Sequence, residues 1–152
     1  MENYVSIQRF ARKTTLIGAA MLASVGAAQA ADLTVEAAGI RNDAGSVFVV
    51  VYNEARAFKA DRIDNAFAVA SMAIPGERAR ITLHDVPPGS YAVSLFHDEN
   101  KNGDFDMRRG VPKEGYGISN STDQFDEPDF ARAAVNVDGE DRLVRVTVRY
   151  LD

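Results

Sequence analysis

Beyond Ala30 the strongest periodicity along the chain is two residues, the repeat of a strand rather than of a helix. Val144, Val146, Val148 and Tyr150 alternate with Arg145, Thr147 and Arg149, the pattern of a half-buried antiparallel strand with one packed face and one wet face. Val47, Phe48, Val49, Val50 and Val51 are continuously apolar, which predicts a central strand covered on both faces. With the runs at 33–40, 66–74, 78–83, 91–97 and 131–137 this makes about seven strands. Turn residues punctuate them: Asn42-Asp43-Ala44-Gly45, Pro75-Gly76, Pro87-Pro88-Gly89 and Asp138-Gly139. The expected fold is therefore all-β, a single antiparallel β-sandwich of the Ig-like or prealbumin-like kind. Residues 53–65 interrupt the pattern with a polar stretch holding Phe58 and Ile63, read as a crossover with a short helical turn and one apolar anchor.

The amino terminus has a different character. Arg9, Arg12 and Lys13 precede an uncharged apolar run over 16–28, and Ala28-Gln29-Ala30 offers the small-x-small pattern of a signal-peptidase site. Residues 1–30 read as a cleaved secretory signal and 31–152 as the mature domain, periplasmic or secreted. The apolar run is shorter than the ~20 residues of a membrane-spanning helix, so no membrane insertion is expected once the signal is removed.

Charge and composition narrow the chemistry. Cleavage after Ala30 removes Arg9, Arg12, Lys13 and Glu2, leaving 14 basic against 21 acidic residues and a net charge of −7. Such a surface repels nucleic-acid phosphates and suits divalent cations or basic partners. The chain has no cysteine, which excludes a disulfide framework, a thiolate metal site and a cysteine nucleophile. No G-x-S-x-G elbow, H-E-x-x-H pair or phosphate-cradling glycine loop is present. The expectation is a protein that is not an enzyme.

The stretch at about 98–130 is far longer than the ~4–6 residues of a typical connection, and such a loop is usually functional or organised by a metal. It opens with Asp98, Asn100, Asn102, Gly103, Asp104 and Asp106, oxygen-bearing residues at alternate positions around a glycine, in the manner of calcium loops. The side chains of Asp98, Asn100, Asn102 and Asp106 with the carbonyl of Asp104 supply hard oxygen ligands, and Gly103 falls where the chain turns with positive φ. The twelfth position from Asp98, where an EF-hand carries a bidentate Glu, is Arg109. This is not an EF-hand; a further carboxylate is expected from Glu114 or from Asp123, Asp126, Glu127 and Asp129. The cofactor so implied is Ca²⁺ in a structural role. The competing expectation for the same residues is a series of Asx-turns at an exposed loop tip.

His84 and His97 are the only histidines. His97 continues the apolar face of Tyr91, Val93 and Leu95 and is expected buried, whereas His84 alternates with Arg80 and Thr82 and is expected wet. Tyr116 and Ile118, between Gly115, Gly117 and Ser119, are expected to staple the long loop onto the sandwich while the glycines permit close backbone approach. An alternative reading places a small secreted enzyme at His97, Asp98, Glu114 and Tyr116, if these converge.

Four blocks carry a family resemblance: Gly39-Ile40-Arg41-Asn42 with Gly45, the turn Val86-Pro87-Pro88-Gly89-Ser90-Tyr91-Ala92-Val93, Phe96 through Gly103, and Val111-Pro112-Lys113-Glu114-Gly115-Tyr116-Gly117. In these the chain resembles a family of secreted bacterial proteins catalogued as domain of unknown function 2141, and its Pro-Pro-Gly-x-Tyr turn is similar to that of prealbumin-like and carboxypeptidase-regulatory-like sandwiches, often accessory or binding modules. The resemblance implies a fold and no catalytic residue. The partner it leaves to be expected is an unidentified protein or small-molecule ligand.

Overall fold

The computed structural model describes residues 5–6, 29–121 and 128–151. The expected signal segment lies outside the described residues apart from 5–6 and 29–30, as do Asp123, Asp126 and Glu127. The elements in chain order are β1 (Val5–Ser6), β2 (Ala31–Ala38), β3 (Ser46–Tyr52), α1 (Ala55–Lys59), β4 (Ala68–Met72), β5 (Arg78–Val86) and β6 (Gly89–Asp98). They continue with β7 (Met107–Arg108), β8 (Val111–Pro112), β9 (Tyr116–Ile118), α2 (Phe130–Ala133), β10 (Val135–Val137) and β11 (Arg142–Thr147). Among the described residues no helix is long and apolar enough to cross a membrane.

Two sheets enclose the core. The larger runs β1-β4-β3-β6-β10, with β9 also paired to β6, and the smaller runs β11-β2-β5. β10 and β9 share one edge of β6: Val135–Val137 pair with Tyr91–Gly89, and Ile118–Tyr116 with Ser94–Phe96. The all-β sandwich expected from the period-two pattern is what forms, antiparallel among the described residues except for one pair. β11 lies parallel to β2, Arg142 opposite Leu33 through Thr147 opposite Ala38. Alternation of Val and Arg fixes which face of a strand is wet and carries no information about the direction of its neighbour, so the antiparallel expectation for this strand is corrected.

Between the sheets lie Leu33, Val35 and Ala37 of β2, Val47, Val49 and Val51 of β3, Val93 and Leu95 of β6, and Val144 and Val146 of β11. The continuously apolar β3 is indeed central, and its other face is covered too: Val50 and Tyr52 pack with Phe58 of α1 and Ala133 of α2 in a second cluster. The Phe58 ring sits edge-on to Tyr52 at 5.6 Å and to Phe130 at 6.0 Å. Ile63 is 43% exposed, so Phe58 alone anchors the crossover. Residues 130–133 are helical rather than extended, correcting the start of the strand expected at 131–137. The Asp129 side chain accepts a hydrogen bond from Arg132 N at 3.1 Å and caps this turn.

The turn from β5 to β6 gives the Pro-Pro-Gly-x-Tyr block a physical role. The Tyr91 hydroxyl donates to the Pro87 carbonyl at 2.7 Å while its ring packs edge-on against Phe67 at 4.9 Å. One side chain thus satisfies a turn carbonyl and fills the core beneath it.

Candidate functional site

The acidic loop leaves β6 at Asp98, whose side chain is 3% exposed, and its first half is built on that carboxylate. Asp98 Oδ1 accepts from Asn102 N at 3.1 Å and Oδ2 from Gly103 N at 2.9 Å. Two further Asx contacts follow, Asn100 Oδ1 accepting from Asn102 N at 3.0 Å and Asn102 Oδ1 from Asp104 N at 2.8 Å. Gly103 has φ of +79°, the left-handed conformation expected of it. Asp106 then receives the amide of Asn100 on Oδ2 at 2.8 Å and, more distantly, that of Asn102 on Oδ1 at 3.4 Å.

Glu114 closes the loop from below. β7 and β8 form a two-residue hairpin through Arg109 and Gly110, both with positive φ, which returns the chain to Asp106. The Asp106 carbonyl accepts from Lys113 N at 2.9 Å, and Asp106 N donates to Glu114 Oε2 at 3.1 Å. Glu114 is 4% exposed, and its Oε1 is buried with no hydrogen-bond partner among the described residues. Burial pushes the Glu114 carboxyl above its ordinary value, with the charges of Asp106 and Asp98 adding to the push.

Asp98, Asn100, Asn102, Asp106 and Glu114 therefore meet in one hydrogen-bonded cluster. The Asp104 side chain is exposed and outside it; that residue joins through its backbone N–H. Among the described residues no three His, Asp or Glu side chains are placed together to hold a metal ion, so any cation here would draw on the amides of Asn100 and Asn102 as well as on carboxylates. Of the later acids considered as ligands, Asp129 caps α2 instead.

Of the alternative grouping of His97, Asp98, Glu114 and Tyr116, the two carboxylates share the cluster, but the His97 ring is turned to other partners. His97 is fully buried as expected, and both its ring nitrogens are engaged elsewhere: Nε2 lies 2.7 Å from the Ala44 carbonyl and Nδ1 2.8 Å from the Tyr150 hydroxyl. Because a carbonyl only accepts, Nε2 carries the proton there. Tyr150 Oη also accepts from Arg41 N at 3.1 Å, and the Arg41 guanidinium lies 4.4 Å from the Tyr150 ring centre. Arg41 meanwhile grips Glu99 through Nη2 at 2.6 Å, which holds the Glu99 carboxyl below its ordinary value, with the Asn42 amide assisting. His84 is exposed and pairs with Asp32 at 2.9 Å.

Tyr116 and Ile118 do staple the loop to the sandwich. Beyond pairing with β6, Tyr116 exchanges two 2.9 Å backbone bonds with Arg149, past the end of β11, so β9 bridges the two sheets. Gly117 makes this crossing possible, since a Cβ there would stand 2.5 Å from the Thr147 carbonyl oxygen and 2.8 Å from Val146 Cγ1. Ser119, which the sequence reading named only in passing, is the fully buried lock at the end of β9. Its Oγ accepts from Val93 N at 2.9 Å and donates to the Ala133 carbonyl at 2.6 Å, joining β6 to α2. A lone serine after a short strand carries no pattern that announces such a role. The contacts of Tyr150 with His97 and Arg41 carry no local signal either, because these partners lie 53 and 109 positions away in the chain.

No curated protein and no solved structure matches the chain. The family model of domain of unknown function 2141, described as an uncharacterized protein conserved in bacteria, matches residues 35–145, from β2 through the acidic loop to β11. The chain belongs to that family.

Proposed function

We propose that this protein is an exported, non-catalytic binding or accessory module whose acidic loop is stabilised by calcium. Export rests on the basic, apolar and small-x-small order of residues 9–30. The observation that carries the metal is Glu114: a buried carboxylate whose Oε1 makes no hydrogen bond among the described residues, beside the loop of Asp98 and Asp106. An unpaired buried carboxylate is costly, and a divalent cation removes that cost by giving Oε1 a positive neighbour. The same ion replaces the Asn100 and Asn102 amide hydrogens as the partner of Asp106, with amide and carbonyl oxygens making up the six to eight ligands calcium takes. We read its role as structural: both ring nitrogens of His97 are engaged by other groups.

Thermal unfolding of residues 31–152 in EDTA and through a calcium titration, with magnesium as control, tests this. Binding confined to the folded state adds about RT ln(1 + [L]/Kd), or ~2.7 kcal/mol at a hundredfold excess over Kd. A saturating, calcium-selective rise in midpoint is expected, and the double variant Asp98→Ala with Asp106→Ala should abolish it. A midpoint indifferent to calcium, or a response that survives in the double variant, overturns the metal assignment.

A further inference from the structure

The outer face of the larger sheet carries a cavity of about 340 Å³, within the range of sites that hold small molecules. Its floor is strand: Val50 of β3, Ser94 and Phe96 of β6, and Ile118 of β9. Phe58 of α1 stands on one side and Phe105 of the acidic loop on the other. Lys59, Asp61 and Asp104 sit at the rim.

We infer that this cavity is the binding site of the module and that it takes a neutral, largely apolar small molecule built on a planar ring. This rests on the reading of the protein as a binding module and names what the module binds. Three observations select the occupant. The first is the wall chemistry: Phe96 and Phe105 are tilted at 5.4 Å, and Phe105 and Tyr116 meet edge-on at 5.6 Å, a run of rings that offers a flat ligand both faces and edges. The second is charge: the charged lining residues Lys59, Asp61 and Asp104 are all exposed, so they lie in water at the mouth, and among the described residues no buried charge lines the interior to pair with an ionic ligand. The third is the floor. β3 is paired on both edges and β6 is flanked by β3 on one edge and by β9 and β10 on the other, so no free backbone edge invites an added peptide strand. Ser94 brings a hydroxyl, and so one polar contact, to an otherwise apolar floor.

The position of Phe105 links the cavity to the loop. Gly103, Asp104 and Phe105 are at once a wall of the cavity and the middle of the Asp98–Asp106 turn, so an ion that fixes the turn fixes the wall.

The test is a fluorescence titration of residues 31–152 with N-phenylnaphthylamine, a neutral three-ring aromatic probe, run in EDTA and in calcium. Saturable binding at one site per chain is expected, displaced by naphthol but not by decanol of equal carbon count. Ser94→Phe, which fills the cavity from its floor, and Ile63→Glu, at an already exposed rim position, should each weaken binding by roughly tenfold or more. Ile63→Glu keeps the result readable if Ser94→Phe fails to fold. Binding that both folded variants leave unchanged, or displacement by decanol as readily as by naphthol, overturns the inference. Saturable, variant-sensitive binding with no calcium effect on stability sustains the cavity and sinks only the metal. A calcium-dependent midpoint without saturable probe binding in either solution does the reverse.

Discussion

Gly117→Ala is the most demanding test of how the acidic loop is held. The backbone at Gly117 is extended, so alanine meets no conformational penalty of its own, and the whole cost is steric. The added Cβ would lie 2.5 Å from the Thr147 carbonyl oxygen, 2.8 Å from Val146 Cγ1 and 3.2 Å from the Thr147 carbonyl carbon. Neither side can easily move: Val148 N is tied to Ala38 O at 2.8 Å, and β9 is fixed by its paired bonds to Arg149 and to β6. Overpacking of this kind costs about 1–3 kcal/mol. A domain of about 120 residues has an unfolding entropy near 0.25 kcal/mol per degree, so the midpoint should fall by about 4–12 °C. Calorimetry in EDTA measures it directly, and amide exchange at Tyr116 and Arg149 locates it, because the strand bridging the two sheets should open first. A midpoint within a degree of the parent protein, with those amides still protected, would show that β9 and β11 are not in the close contact on which the anchoring of Glu114 and Tyr116 depends.

Two carboxylates should give stability opposite dependences on pH. Burial raises the Glu114 carboxyl, so the folded protein holds that proton more tightly than the unfolded chain, and the contribution is present below the ordinary value of 4.5 and lost as pH climbs through the raised one. In EDTA, Glu114→Gln should therefore gain on the parent protein as pH rises above 4.5, and a gap that stays constant with pH in denaturant titrations would refute the desolvated carboxylate. Glu36 is 2% exposed although it lies on the solvent side of the smaller sheet, because Arg78, Arg80 and Arg145 close over it. The Arg80 and Arg145 guanidiniums hold its carboxyl down to about 2 from 4.5, so its contribution is present above 4.5 and disappears as pH falls toward 2. Glu36→Gln should be less stable than the parent at neutral pH and converge with it across that interval; a deficit unchanged at pH 2 would mean the arginines do not act through the charge.

Much of this architecture was legible in the sequence wherever a residue's fate is set by its immediate neighbours. Strand faces followed from alternation, and the two-sided burial of β3 from its unbroken apolar run. The Asx-turns of 98–106 followed from side chains that bond their own backbone two to five residues away. Long-range relations were not legible. The parallel partner of β11, the Tyr150 hydroxyl on His97 and the bond from Ser119 to α2 each join residues through the packing of the sheets. The helical turn at 130–133 differs from the strand expected there because the Asp129 cap closes a turn too short to show a helical period. The apolar outer wall escaped for a related reason: Phe58, Phe96 and Phe105 are scattered along the chain and meet only once β3, β6 and the loop are stacked.

The two sheets divide the labour of the molecule through what lies on their outer faces. On the smaller sheet, Glu36 is ringed by Arg78, Arg80 and Arg145, and Thr34 bonds Thr82 at 2.9 Å, so the polar groups there largely satisfy one another. The larger sheet is apolar on both sides, and α1 and α2 cover only part of its outer surface, over Val50, Tyr52 and Ala92. The remainder, from Ser94 to Ile118, depends on the acidic loop for its cover, and Phe105 is the residue the loop sends down. A loop that must shield apolar surface needs to be stiff, and this one is stiffened from above by Asp98 and from below by Glu114. The unpartnered Glu114 oxygen is then the weak point of that stiffening, and the place where an added cation has most to contribute. Metal in the loop and ligand in the cavity should for this reason bind with positive coupling, each favouring the arrangement of residues 103–105 that the other requires.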